Sequence, residues 1–127
     1  MIVVDASAAV AALLRDGSAR EIMAREQLHA PHLIDAEVAQ TLRRLVAGER
    51  LAAGDGETLR SGWSGLALVR HPIHPLLSRI WQLRDNVSAY DATYVALAET
   101  LGCALLTADA RLARASGPTC PITVVPS

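Results

Sequence analysis

Short apolar runs alternate with stretches of helical periodicity along this chain, and that alternation is the strongest constraint on its fold. Ile2-Val3-Val4, Leu28-His29-Ala30, Leu66-Ala67-Leu68-Val69, Ala104-Leu105-Leu106 and Ile122-Thr123-Val124-Val125 read as strands. The first is apolar at every position, as a central parallel strand should be. Between the runs, apolar residues recur at helical spacing, most clearly Ile34, Val38, Leu42, Leu45 and Val46 within Leu33 to Ala47. Further helices are predicted from Ala6 to Arg15, from Ser18 as a cap to Glu26, and from Leu76 to Arg84. Ser88 opens another that runs through Glu99, and a short one covers Ala110 to Ala115. Leu51 to Gly65 also reads as helical, though Gly54, Gly56, Gly62 and Gly65 weaken it. The prediction is an α/β fold: a single domain over residues 1–127, its central parallel sheet of about five strands flanked by helices.

A chain of 127 residues can bury one core, and 51% hydrophobic residues suffice to fill it. With no Phe and 3% aromatics, that core has to be aliphatic. The formal net charge is −1, so the molecule as a whole does not attract polyanions. All 12 basic residues are arginine, and any contact with nucleic acid rests on a local arginine patch or on metal. Cys103 and Cys120 have no metal spacing and read as buried, reduced thiols of a cytosolic protein. No basic segment precedes the first apolar run, and Asp5 interrupts it, so neither a signal peptide nor a membrane span is expected. These features point to a soluble cytoplasmic protein.

Four carboxylates sit where a strand ends or a helix begins. Asp5 closes the first strand, Glu37 lies in the early turns of the helix after Pro31, Asp91 opens the helix after Ser88, and Asp109 follows Leu105-Leu106-Thr107-Ala108. Three of them have an ordinary explanation. Asp5 and Asp109 are good N-caps, and Ser88-Ala-Tyr-Asp91 has the form of a capping box. Glu37 is different. It falls on the border of the apolar stripe, and its neighbours at three and four residues are Gln40 and Thr41, so no helical ion pair explains it. Asp35 projects roughly 160° away at about 100° per residue and suits the helix dipole instead.

Strand ends and helix starts on one edge of a parallel sheet share a crevice, so these distant acids can meet. Two carboxylates about 4 Å apart repel by roughly 4 kcal/mol at an effective dielectric near 20. Converging acids therefore take up protons or bind a hard divalent cation, Mg²⁺ or Mn²⁺, which prefers oxygen ligands. Zinc is disfavoured because no His or Cys is spaced for it, and His29, His32, His71 and His74 read as surface or packing residues. A lysine-dependent phosphate loop is impossible without lysine, and neither a Gly-x-Gly-x-x-Gly nor a Gly-x-Ser-x-Gly is present.

Taken in order, these segments resemble the PIN-domain ribonucleases, and within them the VapC-type toxins of bacterial toxin–antitoxin pairs. Ile-Val-Val-Asp5-Ala-Ser7 is similar to that family's first-strand signature, and Pro31-His-Leu-Ile-Asp-Ala-Glu37 to its glutamate helix. Ser88-Ala-Tyr-Asp91-Ala-Thr-Tyr-Val-Ala-Leu-Ala-Glu is the most specific stretch, and Leu-Leu-Thr107-Ala-Asp109 resembles the last acidic motif. The resemblance implies Mg²⁺- or Mn²⁺-dependent hydrolysis of RNA, with Asp5, Glu37, Asp91 and Asp109 as catalytic and metal-holding residues. Ser7 and Thr107 match positions that support the metal or its waters. It also implies a homodimer, a cognate antitoxin that reaches the acidic groove, and a tRNA or ribosomal RNA substrate. Arg43, Arg44 and Arg50 are candidates to grip the RNA backbone. Three other readings compete. A receiver-type signalling domain needs a lysine that this chain lacks; a catalytically silent binding module and a metal-dependent phosphatase remain as alternatives.

Overall fold

In the computed structural model, which describes residues 1–127, five parallel strands form one sheet. β1 (Ile2–Val4), β2 (Leu28–Pro31), β3 (Val69–His71), β4 (Ala104–Thr107) and β5 (Ile122–Val124) lie in the order β3-β2-β1-β4-β5. All three residues of β1 are buried, as a central strand covered on both faces requires. From β1 the chain passes through α1 (Ala6–Leu14) and α2 (Ser18–Arg25) to β2, then through α3 (Leu33–Ala47) and α4 (Ala53–Ser64) to the edge strand β3. It then reverses. α5 (Leu77–Gln82) and α6 (Ala89–Leu101) carry it back past β2 and β1 to β4, and α7 (Ala110–Arg114) leads to β5.

Parallel crossovers are right-handed, so the reversal puts α1 to α4 and the α5–α6 pair on opposite faces of the sheet. α6 lies across β1, β2 and β4, and every residue from Ala92 to Ala98 is buried. On α1, Ala8, Ala9, Ala11 and Ala12 are buried, and their small side chains let the helix approach closely. The resulting core cluster of 29 residues is almost wholly aliphatic; Trp63 and Tyr94 are its aromatic members. Between β1 and β4 the outgoing connections part in opposite directions, which opens a crevice at the C-terminal ends of these two strands.

Local differences from the sequence expectations have physical causes. The third strand is Val69–His71 rather than Leu66–Val69. Leu66 and Leu68 pack on the core from the approach to the strand, while the edge strand itself is partly exposed and tolerates Arg70 and His71. Ser18 is the first helical residue of α2, with no side-chain cap bond ahead of it. The segment from Leu76 splits into a 3-10 turn over His74–Leu76 and the shorter α5. Cys103 and Cys120 are free thiols but only partly buried. The glycine-rich α4 is a helix all the same, and Gly56 has a packing reason. A Cβ there would stand 2.8 Å from Val46 Cγ2 of α3.

Candidate active site

Asp5 follows β1 at the switch point and is buried. Its backbone N–H donates to Leu106 O of β4, which fixes where the side chain starts. Oδ1 accepts from Ser7 Oγ at 2.6 Å and from the Ala8 N–H at 2.9 Å, and Oδ2 accepts from Thr107 Oγ1 at 2.5 Å. Ser7 and Thr107 are themselves held: the Ala108 N–H donates to Ser7 Oγ and the Asp109 N–H to Thr107 Oγ1. Asp5 is thus the N-cap of α1 and the centre of this network at once. All its donors are neutral. Burial and the nearby Asp91 charge push its carboxyl above the ordinary range, against the pull of Ser7, Thr107 and Ala8.

Glu37, Asp91 and Asp109 line the same cleft of about 1050 Å³ as Asp5 and Ser7. Burial raises the Glu37 carboxyl, and the charges of Asp91 and Asp5 add to that; Tyr94 Oη, donating to Glu37 Oε1 at 2.5 Å, opposes it. Burial likewise raises Asp91, helped by the Asp109 charge. The Ser88 hydroxyl accepts from the Asp91 N–H and, with the Arg111 charge, pulls the Asp91 carboxyl down by less than burial raises it; Asp91 lines the cleft. Asp109 is the exception. It caps α7 through the Arg111 N–H, and the Arg111 guanidinium pairs with it at 3.2 Å, holding its carboxyl below the usual range.

No ion pair engages Asp5, Glu37 or Asp91, although each shares the cleft with other acids. An all-oxygen donor set that lacks a countercharge suits Mg²⁺ or Mn²⁺. No three acidic, His or Cys side chains are drawn together round one point. Arg44 and Arg50 line the cleft, but Arg43 lines a separate groove between α3 and α4. Adjacent helical residues point about 100° apart, so Arg43 and Arg44 could not both face the acids.

Two cleft residues escape sequence reasoning. Arg111 stands two positions after Asp109. Tyr94 stands three after Asp91, the spacing that places side chains on one helical face, but within an apolar run it reads as core. Asp35, as expected, serves elsewhere: Arg70 and Trp63 hold it.

The chain and its fold have counterparts among known proteins. The PIN domain model matches residues 2–118. The chain belongs to the PIN-domain family. It is 59% identical to VapC ribonuclease Mb0985 of Mycobacterium bovis, over 99% of each chain. It is 42% identical to Ribonuclease VapC1 of Mycobacterium tuberculosis, covering 97% of this chain and 96% of that one. Among solved structures, PAE2754 of Pyrobaculum aerophilum superposes with a TM-score of 0.68 at 27% identity, covering 95% of this chain and 81% of that one. VapC20 of Mycobacterium tuberculosis, a sarcin-ricin loop cleaving toxin, shares the fold with a TM-score of 0.67 at 19% identity, covering 90% of this chain and 94% of that one. Within the PIN-domain family the chain is a VapC-type ribonuclease, a hydrolase.

Proposed function

We propose that the cleft at the switch point is the ribonuclease centre, with Asp5, Glu37 and Asp91 as its principal acids and Asp109 completing the set. One observation carries this reading: three partly or fully buried carboxylates face one cleft with no paired cation, around an Asp5 held by neutral donors alone. Bound there, Mg²⁺ or Mn²⁺ supplies charge neutralisation and an acidified water. Ser7, Ala8 and Thr107 orient Asp5 and leave Oδ2 one unoccupied lone pair, which a bound ion would take. Arg44 and Arg50 bind the RNA backbone beside the acids, and Arg43 takes no part.

The substrate is a structured RNA, a tRNA or a ribosomal segment. The toxin acts in the cytoplasm as a homodimer and is silenced by a cognate antitoxin that reaches the acidic cleft. No helix of the chain is long and apolar enough to cross a membrane.

The test is cleavage of total RNA by antitoxin-free protein with Mg²⁺ and then with EDTA, product ends being mapped by sequencing. Cuts at a few defined positions that vanish with EDTA are expected; cleavage indifferent to EDTA refutes the metal role. Cleavage is also expected to weaken steeply as salt rises, because phosphate contacts release counterions. Arg44→Ala and Arg50→Ala should each lower the log–log salt slope by about one, and Arg43→Ala should leave it unchanged.

A further inference from the structure

Tyr94 is buried in α6, with 2% of its surface exposed, and its ring belongs to the core cluster. Phenylalanine would fill that space as well, so the hydroxyl requires a separate explanation. It reaches from α6 to α3 and donates to Glu37 Oε1 at 2.5 Å. That is the one hydrogen bond the Glu37 carboxylate receives, which leaves Oε2 without a partner on a residue that lines the cleft. Arginine in this place would satisfy the same oxygen, but its charge would compete with any cation bound beyond it. A phenol fixes direction without neutralising charge.

We propose that Tyr94 is a positioning residue that locks the Glu37 side chain so that Oε2 is presented to the divalent ion. The inference rests on the metal-site reading above. A second observation agrees with it. Asp5 follows the same logic, with the hydroxyls of Ser7 and Thr107 in the part that Tyr94 plays for Glu37. Hydroxyl donors therefore brace at least two of the acids.

Partners of this kind are worth about 10- to 100-fold in metal affinity. Mn²⁺ binding to the full chain, followed by calorimetry, is the direct measurement, with far-UV circular dichroism confirming the fold. Tyr94→Phe deletes one oxygen and keeps the ring; it is expected to weaken Mn²⁺ about tenfold. In a Glu37→Gln background the same change should add no further loss. Binding within twofold of wild type, or an equal further loss without the Glu37 carboxylate, overturns the proposal. Asp5→Asn is the control beneath both. If it holds Mn²⁺ as tightly as wild type, the metal-site reading itself falls, and the Tyr94 variants cannot produce that result.

Discussion

Asp35 and Glu37 stand two residues apart on α3 and face opposite electrostatic surroundings. Asp35 accepts from Arg70 at 2.6 and 2.9 Å and from Trp63 Nε1 at 2.8 Å, and the Arg70 guanidinium holds its carboxyl below the usual range. Glu37 receives one neutral hydroxyl, and burial with nearby acids pushes it upward. The contrast repeats along α6. Near the C-terminal end, burial would raise Glu99, but Arg79 and both Thr119 donors outweigh it and keep the carboxyl low. Asp91, near the start of the same helix, is in no ion pair; burial and the Asp109 charge outweigh Ser88 and the more distant Arg111 charge, and it is raised. Acids that build the fold are discharged by arginine. In the cleft, Asp5, Glu37 and Asp91 have no paired arginine, Asp109 with its Arg111 being the exception, and such a set destabilises the metal-free protein and favours a cation.

The largest expected effect separates the two sets by activity. Asp5→Asn and Asp91→Asn should each reduce RNA cleavage by about a hundredfold or more, in the range seen when one preorganised electrostatic group is lost. Their far-UV circular dichroism should match wild type; near-wild-type activity in a folded variant would break the comparison. Glu99→Gln should do the reverse. It disrupts a carboxylate with 13% side-chain exposure that accepts from Arg79 and Thr119, and about 1–3 kcal/mol of unfolding free energy is expected to go. Urea denaturation measures that loss, and cleavage per folded molecule should hold.

Asp35→Asn follows at about 1 kcal/mol or less, because the side chain is 45% exposed and solvent screens the Arg70 pair. A larger loss than that of Glu99→Gln would reverse the ranking by burial.

The smallest effect concerns pH. Asp91 has its folded pKa raised, so the metal-free native state binds more protons than the unfolded chain in the window just above the ordinary carboxylate range. Its destabilising charge is fully present near neutrality and is relieved as pH falls through the folded pKa. Asp91→Asn should therefore be slightly more stable than wild type at pH 7, and the difference should shrink toward about pH 4. For Asp35, with a lowered pKa, stability is present above the unfolded value and lost as pH falls through the folded one. Parallel curves for the two variants, each measured against wild type, would show that the raised and lowered carboxyls do not differ in the way described.

Much of the fold and part of the site are legible in the amino-acid order alone. Strand–helix alternation implies the parallel sheet, and α3 runs over the residues its apolar stripe marks, Leu33–Ala47. The four acids at strand ends and helix starts do line one cleft. Sequence reasoning misplaces the edge strand because hydrophobicity marks burial, and an edge strand needs little of it. It passes over Tyr94 because a buried tyrosine in an apolar helix looks like any other core residue until its hydroxyl is traced across the fold.

By itself, then, the sequence determined the fold class, the oxygen-rich character of the site and the exclusion of lysine-dependent chemistry, because periodicity and residue type are local properties. Only tertiary structure decided which carboxylates stay unpaired, that Arg44 and Arg50 rather than Arg43 reach the cleft, and that Tyr94 meets Glu37. The reason is distance along the chain. Asp5 and Thr107 are 102 residues apart, Glu37 and Tyr94 are 57 apart, and such pairs form only when the crossovers bring their elements together.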